Sequence, residues 1–570
     1  MTSQDVFYGE LLDQTVTEPH YRGDFSGLKS ADATAQAASQ VDEIIREVTE
    51  LKWLHVHHNS LLPVNNLLYE ILTMIFRYCV PSTDPGYNLQ LTADEMTKRF
   101  SHCFAFSKVC RTWRNIALSD PLLWVRPLFS RRRLAEEMVL RARGLPLDVD
   151  IQKCEGNHDV LKAMESILKA DLRHLSLKIS SNHIGDLDYP EFSPFKTVQS
   201  IAIESTDPCT IRYGGLWRSQ PTSLKSLTFK HCYFVRFDIK GHPANYMDLE
   251  SLSLIMPMTP SQSLPQWSIK AMISVCQRST TLRSLHLEHA LRPNYPDEDH
   301  VEPRLVMPHL RILEIADTTP VICTLLDRID CPNLRTLNLE TRIGRNGGAD
   351  LDSLAARVCA WMKTWGGYAL ERMNISLEIK EEIENDIQLW SICKVVGWLG
   401  TREGEQTNAP RFQVSLGLYR VDPWAVLEDF LNPFPLDSLA SLVVFGADPV
   451  SPAGEPSFWR RLSLLPALTY LEINKPALTM FLPCYVYDEH IRAMSTNGFP
   501  ALHKLTLGQL SGYRADLRKA PFRYLAGILS IREQKGKPLP ELEVPHCLFE
   551  IGIQEFIASM QNLSTKLVIS

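Results

Sequence analysis

Three histidines near the N-terminus, His55, His57 and His58, are the closest approach of the sequence to a metal-binding cluster. Imidazole nitrogens bind transition metals, but several ligands must converge on one point. Adjacent positions on a helix point to different faces, and no cysteine or carboxylate stands at ligand spacing from these histidines. We therefore predict no metal site and no cofactor.

Two charged stretches would attract ligands of opposite charge. The basic run is Arg131-Arg132-Arg133, followed by Arg141 and Arg143. The acidic stretch comprises Glu378, Glu381, Glu382, Glu384 and Asp386. We interpret the first as a solvated helix face and the second as an exposed insertion or loop. Binding of phosphate, an acidic partner or a basic ligand is the alternative.

The common catalytic motifs are missing from the sequence. There is no P-loop, no G-x-S-x-G, no H-E-x-x-H and no G-x-G-x-x-G after a predicted strand. Trp361, Trp365 and Trp390 are interpreted as core residues. We predict that the protein is not an enzyme. The alternative is an active site within residues 378–436 or in the C-terminal part.

Composition limits the class of protein. The 570 residues carry a formal charge of −7, with 45% hydrophobic and 22% charged residues. These values are typical of globular proteins, and a mildly acidic chain argues against a nucleic-acid partner. The sequence shows neither a signal peptide nor an apolar run of about 20 residues, so we predict that no membrane is involved. The 13 cysteines form no C-x-x-C pair, which favours reduced thiols and a cytoplasmic or nuclear location.

The elements that would position a binding site begin after a loose polar tail, residues 1–35. Residues 36–60 carry aliphatic side chains at spacings of three and four, which predicts an amphipathic helix. These side chains are Val41, Ile44, Ile45, Val48, Leu51 and Leu54. We interpret the helix as docked on its own protein, with a short coiled-coil seam as the alternative.

Residues 61–126 predict a small helical module. Pro63 and the two following asparagines suit a helix start, where a side-chain oxygen caps free N–H groups. One wide apolar stripe follows, formed by Leu67, Leu68, Ile71, Leu72, Ile75 and Phe76. A second helical region is predicted over residues 100–118. About 65 residues form a small core, so we expect part of the stripe to remain for a partner.

The same segment resembles an F-box of the type found in mushroom-forming fungi. The resemblance is carried by Leu62-Pro63, by the helix Leu67 to Phe76, by S-K-V-C-R-T-W-R-N-I-A at 107–117 and by P-L-L-W at 121–124. The chain departs from the familiar form because Leu68 stands where a proline is usual, and Leu62-Pro63 lies five residues earlier. This departure leaves the start of the helix open.

The resemblance implies a substrate-recognition subunit of a cullin-RING (SCF-type) ubiquitin ligase, bound to a Skp-type adaptor and through it to a cullin. The implied adaptor-binding residues are Leu62, Pro63, Leu67, Leu68, Ile71, Leu72, Ile75, Phe76 and, at the edge, Trp113. Val109, Trp113 and Trp124 are expected mainly to pack the module.

Residues 127–570 repeat a spacing of three aliphatic positions, L-x-x-L-x-L, at intervals of about 24–36 residues. Eleven copies begin at Leu172, Val198, Leu224, Leu249, Leu282, Leu310, Leu334, Leu370, Leu439, Leu468 and Leu502, with a weaker copy near Phe412. L-x-L is a short strand with both apolar side chains on one face, which only stacked neighbours bury. Helical patterns at residues 160–168 and 351–365 separate the strands.

This pattern resembles a leucine-rich repeat array, although the asparagine or cysteine usual at the ninth position is present only at Cys232 among the copies compared. The predicted fold class is α/β: a helical F-box module followed by an irregular solenoid with parallel strands on the concave face and helices outside. Residues 378–436 are predicted to be an insertion. The repeats would bind a target protein that the sequence does not name. The alternative function is a repeat scaffold without a role in ubiquitination.

Overall fold

The computed structural model describes most of the chain. The described residues are 31–79, 105–127, 132–152, 171–179, 197–211, 223–234, 248–257, 266–292, 304–343, 348–364, 369–382, 388–399, 410–419, 423–446, 456–474, 499–508, 525–527, 529–544, 557–558, 560–561 and 563–569. The chain divides into two compact units, Met1–Leu123 and Trp124–Ser570. The division falls inside the module predicted over 61–126.

The N-terminal unit is helical. Its elements are α1 (Ala31–Leu61), a 3-10 turn (Pro63–Asn66), α2 (Tyr69–Cys79), a second 3-10 turn (Ala105–Lys108), α3 (Arg111–Ser119) and a third 3-10 turn (Pro121–Leu123). α1 begins five residues before the predicted helix, inside the segment predicted as a tail. The helical region predicted over 100–118 is interrupted, because Cys110 is extended and its sulfur accepts the N–H of Trp113 at 3.5 Å as the N-cap of α3. Residues 100–104 lie outside the described residues.

The C-terminal unit alternates strands and helices. Its helices are α4 (Arg132–Arg141), α5 (Ile269–Arg278), α6 (Thr319–Arg328), α7 (Gly348–Thr364), α8 (Pro423–Leu431) and α9 (Pro456–Ser463). The first ten strands are β1 (Leu147–Gln152), β2 (Leu172–Ile179), β3 (Ser200–Ile211), β4 (Ser226–Phe234), β5 (Ser251–Ile255), β6 (Trp267–Ser268), β7 (Ser284–Glu288), β8 (Leu291–Arg292), β9 (Leu305–Val306) and β10 (Ile312–Ala316). The other ten are β11 (Ile329–Asp330), β12 (Thr336–Ile343), β13 (Leu370–Glu382), β14 (Gln388–Leu399), β15 (Phe412–Tyr419), β16 (Ser441–Phe445), β17 (Tyr470–Asn474), β18 (Lys504–Leu507), β19 (Glu541–Val544) and β20 (Lys566–Ile569).

Sixteen of these strands form one sheet. Their order is β1-β2-β3-β4-β5-β7-β10-β12-β15-β14-β13-β16-β17-β18-β19-β20, and all neighbours are parallel except where β14 runs antiparallel to β13 and β15. Two short pairs, β6–β8 and β9–β11, lie outside it. The coarse part of the predicted fold class, mixed α/β with a long and mostly parallel sheet, is confirmed. Within the described part of the chain, no helix has the length and apolar character that crossing a bilayer requires.

The strands are aligned by the repeated spacing. Leu227 of β4 pairs with Leu252 of β5, which pairs with Leu285 of β7, and Leu313 and Leu337 continue the row. Every aliphatic position of the eleven predicted copies is buried. Because side chains alternate along a strand, the residues between these positions lie on the opposite, partly exposed face of the sheet.

Four strands of the sheet, β1, β14, β19 and β20, match none of the predicted copies. Leu539, two residues before β19, and Leu542 and Val544 within it are all buried and have the same spacing as the other copies. β1 carries buried Leu147 and Val149 without the leading aliphatic residue of the pattern. The signal for β19 was therefore present in the sequence, whereas the signal for β1 was incomplete. The helix predicted over 160–168 lies outside the described residues.

Residues 370–419 rearrange the order of the strands. β13 does not follow β12 in the sheet; instead β15 pairs with β12, β14 lies next to it, and β13 pairs with β16. The predicted insertion at 378–436 thus contributes two strands and α8 to the unit. The acidic stretch predicted as a loop continues β13 up to Glu382, while residues 383–387 are outside the described part.

Polar side chains link successive strands through the backbone before each strand begins. The hydroxyl of Thr197 donates to the carbonyl of Leu172 at 2.9 Å, and that of Thr281 donates to the carbonyl of Leu249 at 3.1 Å. The amide of Asn333 donates to the carbonyl of Pro308 at 2.8 Å. Each bond joins the segment before one strand to the start of, or the segment before, its neighbour in the sheet.

A buried carboxyl group follows β10 and makes the stability of the C-terminal unit depend on pH. Burial raises the pKa of Asp317 to about 6, although the N–H groups of Thr318 and Leu291 donate to the carboxyl and oppose the shift. The neutral form is therefore more favoured in the folded protein than in the unfolded chain. Its contribution to stability is complete below pH 4 and is lost as pH rises through about 6.

We expect Asp317→Asn to stabilise the protein at pH 8 by about 2 kcal/mol and to leave its stability at pH 4 nearly unchanged. Asparagine keeps an oxygen that can accept the Thr318 N–H but never ionises. Chemical denaturation of both proteins at the two pH values would measure the difference. An equal gain at both values, or a loss at pH 8, would contradict the assignment.

Candidate functional site

The N-terminal unit has an aromatic core of its own. Phe76 of α2 stacks on Phe106 with ring centroids 4.4 Å apart and planes 6° apart, and it contacts the ring of Trp113 at 5.2 Å. Leu72, one helical turn before Phe76, and Ile116 of α3 are buried in the same unit. This packing fixes α2 against α3 and decides which side of α2 is covered.

The turn that precedes α2 is fixed by a side-chain hydrogen bond. The indole N–H of Trp113 donates to the Oδ1 atom of Asn65, and the amide of Asn65 donates to the carbonyl of Asn59 at the end of α1. Asn65 therefore joins α3 to the Pro63–Asn66 turn. The prediction that an asparagine here caps a helix with its oxygen is wrong for Asn65, because its oxygen accepts from Trp113 instead.

A bidentate ion pair, not predicted from the sequence, holds the other end of α2. The guanidinium of Arg77 donates to Asp120 through Nε at 2.9 Å and through a terminal nitrogen at 3.1 Å. Asp120 is buried and also accepts the N–H of Leu122 at 3.2 Å. Tyr69 and Ser119 share a second bond of 2.9 Å between their hydroxyls. These contacts hold both ends of α2 against α3 and the residue that follows it, while the outer face of α2 makes no part of them.

The side of α2 next to its buried face and the turn before it form an exposed apolar surface, which we call the apolar ridge. It consists of eight exposed residues: Leu62, Pro63, Val64, Leu67, Leu68, Ile71, Met74 and Ile75. Ile71 and Ile75 lie one helical turn apart, and 40% of Ile71 is exposed. Isolated exposed apolar residues are ordinary, but a continuous set on one surface indicates contact with another molecule.

The predicted stripe divides into a covered half and an exposed half. Of the predicted adaptor-binding residues, Leu62, Pro63, Leu67, Leu68, Ile71 and Ile75 are exposed on the ridge. Leu72 and Phe76 are each only 1% exposed and belong to the core. Trp113 is half-buried behind the turn. The division arises because Leu72 and Phe76 lie about 100° around the helix from Ile71 and Ile75.

Two residues expected to pack the module do not do so in the structure. Val109 is exposed, between the second 3-10 turn and α3. Trp124 begins the C-terminal unit, where it is buried and the guanidinium of Arg141 lies 4.7 Å from its ring centroid. Arg141 also pairs with Glu137 at 2.8 Å. This part of the basic run is therefore engaged within its own unit rather than free on a solvated helix face.

Comparison with known proteins gives no family model that matches this chain and no curated protein that is similar to it. What the apolar ridge can do therefore follows from its own chemistry. Its side chains are hydrocarbon or thioether groups, which bind by excluding water and do not transfer protons or electrons. A surface of this kind suits a helix or loop of another polypeptide.

The histidines near the ridge do not converge on a point. His55, His57 and His58 are exposed on α1, and the ring of His57 stacks on Trp53 with centroids 5.3 Å apart. Among the described residues, no group of three or more side chains is arranged to hold a metal ion.

The partly exposed face of the long sheet carries polar and charged side chains. On β4, β5 and β7 this face carries an aligned row of short polar side chains, Ser226, Ser251 and Ser284. Further along, Glu314 accepts from Asn338 at 2.7 Å and lies 3.5 Å from a ring nitrogen of His286. The three strands β7, β10 and β12 supply these side chains at the same register position.

The same face changes character toward β20. Lys504 of β18 lies 2.9 Å from Glu541 and 2.7 Å from Glu543, both on β19. These contacts raise the pKa of Lys504 and lower the pKa of Glu541, so both groups are charged at neutral pH. In the rearranged strands, the guanidinium of Arg372 lies 5.9 Å from the ring of Trp398. The face therefore presents small polar, charged and aromatic side chains at different places along its length.

Proposed function

We propose that the protein is the substrate-recognition subunit of a cullin-RING (SCF-type) ubiquitin ligase. The observation that carries the proposal is the apolar ridge: the N-terminal unit forms its own core and still leaves a continuous apolar surface uncovered on α2 and the preceding turn. Because the same residues resemble an F-box, we propose a Skp-type adaptor as the partner that binds this surface.

In this proposal the ridge residues contact the adaptor and the buried residues support them. Leu62, Pro63, Leu67, Leu68, Ile71 and Ile75 make the contact, while Leu72 and Phe76 hold α2 in place. Trp113 acts through Asn65, because its hydrogen bond fixes the turn that carries Leu62 and Pro63. Burial of exposed aliphatic groups against the adaptor supplies the affinity.

The C-terminal unit would be an irregular leucine-rich-repeat solenoid that binds the target. The buried aliphatic rows, the parallel register and the alternation of strand and helix support this part of the proposal. The open face of the sheet would contact a target protein. The subunit would not catalyse ubiquitin transfer; through the cullin, it would raise the effective concentration of a target lysine near the charged enzyme. Its place of action would be the cytoplasm or the nucleus.

Affinity purification of the full chain from cells, followed by mass spectrometry, tests this function. We expect the adaptor and a cullin to co-purify with the full chain and to be lost when residues 61–123 are removed, a deletion that ends where the C-terminal unit begins. Target proteins should remain in both samples, because the repeats bind them without the ridge. Targets without any adaptor in the full-chain sample would instead favour a repeat scaffold that takes no part in ubiquitination.

A further inference from the structure

Helix α1 carries an apolar face that the described part of the N-terminal unit leaves exposed. Val41, Ile44, Ile45, Val48, Leu51 and Leu54 are 41–57% exposed. Within the N-terminal unit, these side chains are therefore not docked on a neighbouring element. At its C-terminal end the helix is tied to the following turn, since Leu62 N–H and the Asn65 amide both donate to the carbonyl of Asn59.

The spacing of these residues matches the contact positions of a coiled coil. With Val41 at position a of a heptad, Val48 is the next a residue, and Ile44 and Leu51 are the d residues. We call these four residues the seam. Valine at both a positions favours two parallel strands, because β-branched side chains pack well at a in a parallel dimer. Leu51 is the leucine usual at d in such dimers, whereas Ile44 departs from it.

The charges beside the seam are complementary to a second copy of the same helix. Glu47 occupies position g and Lys52 the following e position. In a parallel dimer, g of one helix faces the next e of its partner, so Glu47 and Lys52 of the two copies form two opposite-charge pairs. Ile45 at e and Leu54 at g extend the apolar area on either side. An antiparallel pair would bring g to g and e to e, which loses both attractions.

We propose that α1 is a dimerisation helix, which pairs in parallel with α1 of a second copy of this chain through the seam. The proposal goes beyond the function proposed above and does not depend on it. Because the apolar seam covers only about two heptads, affinity in the micromolar range is expected. A dimer of this kind would present two apolar ridges and two repeat surfaces in one particle.

Sedimentation equilibrium of the full chain tests the proposal. We expect the mass to approach twice 64.8 kDa at micromolar concentration. Val48→Asp places a charge in the seam of both copies and should return the mass to 64.8 kDa. Val56→Asp is the matched control: Val56 lies on the same helix at position b, away from the seam, and is 61% exposed against 41% for Val48. It should leave the dimer intact.

Charge reversal tests the parallel arrangement. Glu47→Lys or Lys52→Glu alone turns two attractions into two repulsions, and each should weaken the dimer about tenfold. The double variant restores opposite charges and should recover the affinity of the parent. Circular dichroism on every variant separates loss of pairing from loss of the helix.

A monomeric parent chain at micromolar concentration would overturn the proposal, as would equal effects of Val48→Asp and Val56→Asp. Failure of the double variant to recover would overturn the parallel arrangement. Adaptor binding is measured on the same samples: if the seam instead belongs to the adaptor surface, Val48→Asp abolishes adaptor binding while the parent chain stays monomeric. A monomer that still binds the adaptor through the apolar ridge would refute dimerisation and leave the proposed function standing.

Discussion

Replacing Ile71 by aspartate is expected to abolish binding of the Skp-type adaptor while the chain stays folded. Ile71 is 40% exposed at the middle of the apolar ridge, so a carboxylate there remains solvated in the free protein. In the complex the same carboxylate would be buried against apolar groups without a partner, which costs about 3 kcal/mol or more. This corresponds to a loss of affinity of about a hundredfold or more. Titration calorimetry with purified adaptor would measure it.

The chain offers a matched control in its other unit. Ile312 begins β10 and is 39% exposed, so Ile312→Asp makes the same chemical change at the same exposure but away from the ridge. Adaptor binding should be unchanged in this variant. Circular dichroism of both variants checks the fold. If Ile71→Asp kept its affinity for the adaptor, the ridge would not be the contact surface. The proposed function would then lose its main support.

The regular part of the long sheet was predictable because strand periodicity leaves a local signature. Leu252, Leu285 and Leu313 stand in one row of the sheet because each is the second aliphatic residue of its copy. A buried row requires an aliphatic residue at each step, so sequence spacing and spatial register coincide. The same reasoning would have found β19 at Leu542, whereas β1 lacks one of the three positions.

The rearranged strands could not be predicted from spacing. The copy at Leu370, Met373 and Ile375 has the same pattern as its neighbours, yet β13 pairs with β14 and β16 instead of β12. Which strands become neighbours is decided by the connections and by pairing over long sequence distances, which a local pattern does not encode. Phe412, read as a weak copy, is the buried residue that pairs with Leu337 of β12.

The ridge was predictable in composition but not in orientation. The stripe on α2 is too wide for one contact, and this alone indicated that part of it remains uncovered. Which part is covered depends on Phe106 and Trp113, more than 25 residues away in sequence, whose rings meet Phe76. Leu72 and Phe76 were therefore grouped with Ile71 and Ile75 although only the latter pair is exposed.

This division leads to a second prediction of large effect, on Phe76. Phe76→Ala should destabilise the N-terminal unit by about 3–5 kcal/mol, because it removes the ring that stacks on Phe106 and contacts Trp113 and leaves a cavity. In a small unit such a loss is a large share of the stability, so local unfolding of α2 and α3 is expected. Hydrogen–deuterium exchange would show faster exchange there.

The effect of Phe76→Ala should differ in kind from that of a ridge variant. Exchange in β5, β7 and β10 should be unchanged, since these strands belong to the other compact unit. Adaptor binding would weaken through loss of folded α2, and a temperature lowered enough to refold the unit should restore it. Ile75→Asp, by contrast, should lose binding at every temperature with normal exchange. If Phe76→Ala left exchange in α2 unchanged but abolished adaptor binding, Phe76 would be a contact residue and its assignment to the core would be wrong.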